Sequence, residues 1–187
     1  MKHLLGLYWK ARDESLYACS VKLLNSLMLL AEAGYDGFGD YANGAKKSKL
    51  AKKISPTANY LAHLLVKGIN RDEVNRYPFA DLGYGISITS YGVAEFPYEI
   101  SIHCGCSSIY VGNNVLLKFP DEGDLAYPYN AARSDLLFDK LIALWDPLYG
   151  LIAGGKYINR DESGGFPERE KFDRYYERRP DNLTGSA

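Results

Sequence analysis

Only three cysteines occur in the chain, Cys19, Cys104 and Cys106. A secreted scaffold stapled by disulfides carries a larger and even set, so reduced thiols are the expectation. An excess of basic charge is also missing. The 22 Lys and Arg side chains face 23 Asp and Glu, for a formal net charge of −1. Proteins that grip nucleic acid displace counterions from phosphates and usually show a positive balance. No apolar run approaches the roughly 20 residues that span a bilayer. The stretch at residues 4–9, which contains Gly6 and Tyr8, is too short for a signal-peptide core. These absences predict a cytoplasmic protein with neither a membrane nor nucleic acid as its direct partner.

Common catalytic fingerprints are absent too. There is no GxxxxGK[ST] phosphate loop. Gly83-Tyr84-Gly85 begins a dinucleotide motif, but Ile88 stands where its third glycine belongs. The sharpest chemical candidate is His103-Cys104-Gly105-Cys106. Thiolate and imidazole are good zinc ligands. On a strand, however, His103 faces away from Cys104, while Cys104 and Cys106 share a face. Cys19, His3 and His63 supply no CxxC or HxxxH pair to complete a site. No third group orients a Cys/His nucleophile pair. The expectation is structural thiols, no cofactor, no metal and no catalysis. The alternative is a small enzyme built on Cys104 or His103. A second alternative is a nucleic-acid-binding module built on the basic run Lys46, Lys47, Lys49, Lys52 and Lys53, with Tyr41 and Tyr60 nearby. A solvated helix face explains that run as well.

What is present is an ordinary globular composition. The 187 residues are 47% hydrophobic and 24% charged, enough for one domain that buries roughly 70% of its unfolded surface. Sixteen tyrosines stand out. Tyrosine suits the rims of a sheet, and it also suits interfaces, because a large ring and a polar tip come with few rotors to freeze.

Periodicity supplies the elements. Residues 3–9 read as a strand. Asp13 and Glu14 can open a helix whose apolar stripe is Leu16, Cys19, Leu23, Leu27 and Leu30, closed by Gly34. Ser55-Pro56 reads as the start of a second helix, with Leu61, Leu64 and Leu65 buried and Gly68 at its end. Residues 86–91 and 98–103 alternate with period two, and 115–119 form a third strand of the group. Residues 92–96 read as a hairpin connection. A third helix is expected at 131–145, stopped by Asp146-Pro147, and a short last strand at 148–153. This order predicts an α+β fold, a mostly antiparallel central sheet with about three helices packed mainly on one face. Residues 1–155 would form the domain. Residues 156–187 would be a charged tail, either mobile or partly docked, with Tyr175-Tyr176 as the docking pair.

Asp121-Glu122-Gly123-Asp124 is the densest acidic set. It suits a cation, a solvated loop that caps the next helix, or a phosphate mimic for the basic cleft of a partner, whose capture it would steer. On that last reading the candidate contact residues are Asp121, Glu122, Asp124, Tyr127 and Tyr129, with Tyr84 and Tyr91 as secondary candidates. The same tyrosines could instead make a symmetric self-interface.

Several segments recur in a familiar order. These are Tyr8-Trp9-Lys10-Ala11-Arg12 with Glu14-Ser15 and Cys19, then Leu82-Gly83-Tyr84, Cys104-Gly105, Asn113-Asn114 before a Leu-rich strand ending at Pro120, and Trp145-Asp146-Pro147. In these the chain resembles the immunity protein 52 family of bacterial polymorphic toxin systems. It departs from that pattern at Lys10, around Ser90-Tyr91-Gly92, and after Gly155. The resemblance implies an α+β antitoxin that neutralises a secreted toxin encoded by a neighbouring gene, typically a nuclease of restriction-endonuclease fold. It implies no catalytic residues, and it makes Trp9 and Trp145 core aromatics.

Overall fold

The computed structural model describes residues 3–35, 42–43, 57–90, 98–127, 129–154 and 172–178. The expectations for Tyr41, the basic run at 46–53, Ser55-Pro56, Tyr91 and the connection at 92–96 lie outside the described residues.

The chain runs β1 (His3–Trp9), α1 (Leu16–Glu32), β2 (Ala42–Asn43), α2 (Ala58–Lys67), β3 (Tyr84–Thr89), β4 (Glu99–Cys104), β5 (Asn113–Lys118), α3 (Ala131–Trp145), β6 (Tyr149–Gly154) and β7 (Arg174–Glu177). The strands form one sheet in the order β2-β3-β4-β5-β1-β6-β7. Every pairing is antiparallel. The α+β expectation is met. One detail is corrected: the strand near residues 148–153 is not the last, because β7 pairs with it from Tyr149↔Glu177 to Ile152↔Arg174.

Period two separates the two faces of the sheet. Leu5, Leu7, Trp9, Ile88, Ile100, Ile102, Cys104, Val115, Leu117 and Ile152 point one way, into the main core. Against them lie Cys19, Leu23, Leu27 and Leu30 of α1, Leu61, Leu64 and Leu65 of α2, and Leu137, Phe138, Leu141 and Trp145 of α3. Each buried leucine contributes on the order of 2 kcal/mol from apolar area removed from water.

Helix boundaries follow local capping. The N-cap of α1 is Ser15, whose hydroxyl accepts from the Ala18 amide at 3.2 Å. Asp13 and Glu14 do not open this helix, contrary to expectation. The Glu14 carboxylate is instead taken by Lys22 and Arg12. The chain leaves α1 through Gly34 at φ +87°, a left-handed turn that glycine takes without penalty. Thr57 caps α2, accepting from the Tyr60 amide at 3.3 Å. Gly68 ends α2 where a Cβ would collide with the Gly85 carbonyl of β3, so helix and strand meet backbone to backbone. Asp146, at φ +48°, terminates α3.

At one corner Trp9 and Trp145 stack at 5.3 Å, and both are buried. The Trp145 indole N–H donates to Ser26 Oγ at 2.9 Å. Arg12 sits 5.0 Å from the Trp9 ring and donates to the Trp145 carbonyl at 2.8 Å. Both tryptophans are core residues, as expected.

On the other face of the sheet Tyr8 lies over Gly6, where a Cβ would stand 2.6 Å from its hydroxyl, and stacks on Tyr149 at 5.0 Å. Burial, then the neighbouring Tyr149, pushes the Tyr8 phenol up to about 12.

Two outcomes are expected. Gly68→Ala should lower the unfolding free energy by roughly 2 kcal/mol or more, read from urea denaturation, because backbone must move to admit the methyl. The folded state holds the Tyr8 proton more tightly than the unfolded chain. Its contribution is therefore complete below the ordinary tyrosine value near 10 and is lost as pH rises towards about 12. Thermal melts across that window should fall less steeply for Tyr8→Phe than for the parent chain.

Candidate protein-binding site

The acidic segment follows β5. The Phe119 amide donates to the His3 carbonyl at 3.0 Å, which holds the segment beside the start of β1. Gly123, at φ +85°, then allows a turn closed by the Ala126 amide on the Gly123 carbonyl at 3.0 Å. The result is a cleft of about 470 Å³ lined by His3, Asp121, Glu122, Gly123, Asp124, Tyr127 and Tyr129. Five residues proposed from sequence thus meet in one place.

Their roles differ. Asp121, Glu122 and Asp124 are exposed. Tyr129 is 84% exposed and stands as a wall. Tyr127 is only 8% exposed and forms the floor, its ring 4.8 Å from His3 and 5.7 Å from Phe119. Burial raises the Tyr127 phenol, and Asp135 and Asp173 add to the rise. His3 Nε2 lies 3.6 Å from the Asp173 carboxylate, so the segment leading into β7 packs beside this lining residue. Sequence reasoning missed His3 as a lining residue. Only pairing β1 beside β5 brings it there, and no sequence pattern signals that.

The acids do not cap α3. Its N-cap is Asn130, which makes no side-chain cap bond, and the first turn holds no acidic residue. Among the described residues no group of three or more His, Cys, Asp and Glu side chains could hold a metal ion. Tyr84 is not part of this cleft. The β3–β4 register pairs it with Cys104, at the opposite end of the sheet. There a Cβ added at Gly105 would stand 3.0 Å from the Tyr84 ring. Tyr91 lies outside the described residues.

The cysteine and histidine candidates sit at that opposite end. His103 faces away from Cys104, with Nδ1 3.0 Å from the Gly112 carbonyl and Nε2 2.7 Å from the Leu82 carbonyl. It braces two loops and addresses no thiol. All three cysteines are free and buried. The hydrogen bond with the Cys19 thiol, then burial, pushes the Cys104 thiol far above its ordinary value. A nucleophilic cysteine needs the reverse shift. Cys106 donates to the Val111 carbonyl at 3.3 Å.

The family model described as Immunity protein 52 matches residues 2–175. No curated protein matches the chain.

Native protein should leave Ellman's reagent unreacted over minutes, and three thiols per chain should titrate once urea is added. A fast-reacting Cys104 in the folded state would reverse the assignment of these thiols to the core.

Proposed function

We propose, from the premise that this chain belongs to the immunity protein 52 family, that it binds a toxin domain encoded by a neighbouring gene and neutralises it in the cytoplasm, and that this toxin is a nuclease of restriction-endonuclease fold. The family supports the immunity role. The acidic cleft supports the finer reading, and one observation carries it: three exposed carboxylates converge beside an exposed tyrosine. A nuclease active site is built to receive phosphates. Carboxylates arranged in a loop present similar charge to its basic cleft, and the adjacent ring offers an amphipathic anchor.

The physical demand on such a protein is severe, because a small free fraction of an intracellular nuclease damages the genome. Immunity–nuclease pairs reach the tightest affinities known for proteins. Affinity of that order needs fast capture as well as slow release. Exposed acids supply the first by steering.

Plasmid DNA should survive the neighbouring toxin domain when this protein is added at equal concentration, and the two should co-elute as one complex. Undiminished cleavage without co-elution would overturn the reading. Asp121→Lys with Asp124→Lys should slow association roughly tenfold at low salt, with a smaller effect at high salt. Association at the parent rate would remove the acidic cleft from the interface.

A further inference from the structure

More than half of the exposed large apolar side chains among the described residues occupy two loops: Val74, Tyr77 and Phe79 on the first, and Ile109, Tyr110 and Val111 on the second. Ile109 is 82% exposed and Tyr110 90%. Single exposed apolar residues are ordinary, whereas a gathering of them marks a contact surface.

The loops are pinned to each other. The Ser107 and Ser108 amides both donate to the Asp81 carbonyl at 3.0 Å, and His103 bridges Leu82 and Gly112. Each is also braced internally. In the first, Asp72 Oδ1 accepts from the Val74 and Asn75 amides at 2.9 Å, and the Phe79 amide donates to the Asn70 carbonyl at 2.9 Å. In the second, the Cys106 amide donates to Asn113 Oδ1 at 2.8 Å, while Asn113 Nδ2 donates to the Lys10 and Cys106 carbonyls. These bonds brace the two loops beneath their exposed tips. Polar tips would serve the fold equally well. Apolar tips on braced loops lose less entropy on contact than tips on unbraced ones, which suits binding anchors.

Ile109, Tyr110 and Val111 also wall a groove of about 830 Å³ that runs between them and the Tyr8–Tyr149 stack. Among the described residues, Lys10 is the only charged one that lines the groove. Phosphodiester backbone needs several cations, so the groove is not built for nucleic acid. It suits a protein projection that is apolar and carries a carboxylate or carbonyl oxygen opposite Lys10.

We infer that this end of the sheet is the affinity anchor for the toxin domain, receiving an apolar, acceptor-bearing projection of the toxin between the Ile109–Tyr110 tip and Tyr8–Tyr149. The inference rests on the immunity reading and is independent of the acidic cleft.

Surface plasmon resonance with the full chain and the neighbouring toxin domain tests it. Ile109→Ser with Tyr110→Ser should speed dissociation about 100-fold and leave association nearly unchanged, as loss of two anchors implies. Its thermal melt should match the parent, since both side chains are in water. Should that variant melt early, Lys10→Glu is decisive instead, with dissociation expected about tenfold faster. A parental dissociation rate in the well-folded variant overturns the anchor while leaving the immunity reading standing. No toxin binding by the parent chain, combined with a parent dimer that the double variant dissolves, overturns both and gives the surface to a second copy.

Discussion

Everything in this molecule hangs on the contact between Trp9 at the end of β1 and Trp145 at the end of α3. The stack joins residues 136 positions apart in the chain and seats both helices that flank it. Ser26 on α1 takes the indole N–H of Trp145, while Lys22, one turn earlier, lies 5.4 Å from the same ring. Arg12 covers Trp9 and donates to the carbonyls of Trp145, the last residue of α3, and of Asp146, which caps it; the helix itself leaves such end carbonyls unpaired. The charges here are partly exposed, so their pairings add little singly. The buried aromatic area supplies most of the stabilisation, and the charges fix its orientation.

With that corner fixed, the sheet becomes a ruler. Strands of six or seven residues separate its two ends by about 20 Å. Carboxylates and one exposed tyrosine gather at the end where β1 begins and β5 finishes. Large apolar side chains gather at the other, on loops tied through Asp81 and His103. Long-range charge governs how quickly a partner arrives, and desolvated anchors govern how long it stays. A rigid frame with chemically distinct loop ends allows the two to be tuned separately.

The recurring sequence motifs also acquire physical reasons. Gly105 takes φ +68° where a Cβ would crowd the Glu14 carbonyl at 2.9 Å. Asn113 is buried and makes three hydrogen bonds that no aliphatic residue could replace. Cys104 shares a buried hydrogen bond with Cys19 across the α1–β4 seam. These residues build the scaffold. The exposed tips of the two loops are free of that duty, so selection for a partner can act there without cost to the fold.

Much of the frame was legible in sequence because its signals are local. The strand at His3–Trp9, the helix at Ala131–Trp145 and the stripe through Cys19, Leu23, Leu27 and Leu30 follow from periodicity alone. The dense acids at Asp121, Glu122 and Asp124 and their neighbouring tyrosines were visible as a local cluster. What sequence could not decide was every relation set by strand order. Placing β1 between β5 and β6 puts His3 into the acidic cleft, and the β3–β4 register sends Tyr84 to the far end of the sheet. The same order turns Ile109, Tyr110 and Val111, which pattern alone cannot distinguish from a buried strand fragment, into an exposed tip beside Tyr149. Side-chain type and spacing determine which local structures form. Which residues then share a surface depends on contacts between segments a hundred positions apart, and only the packed sheet fixes those.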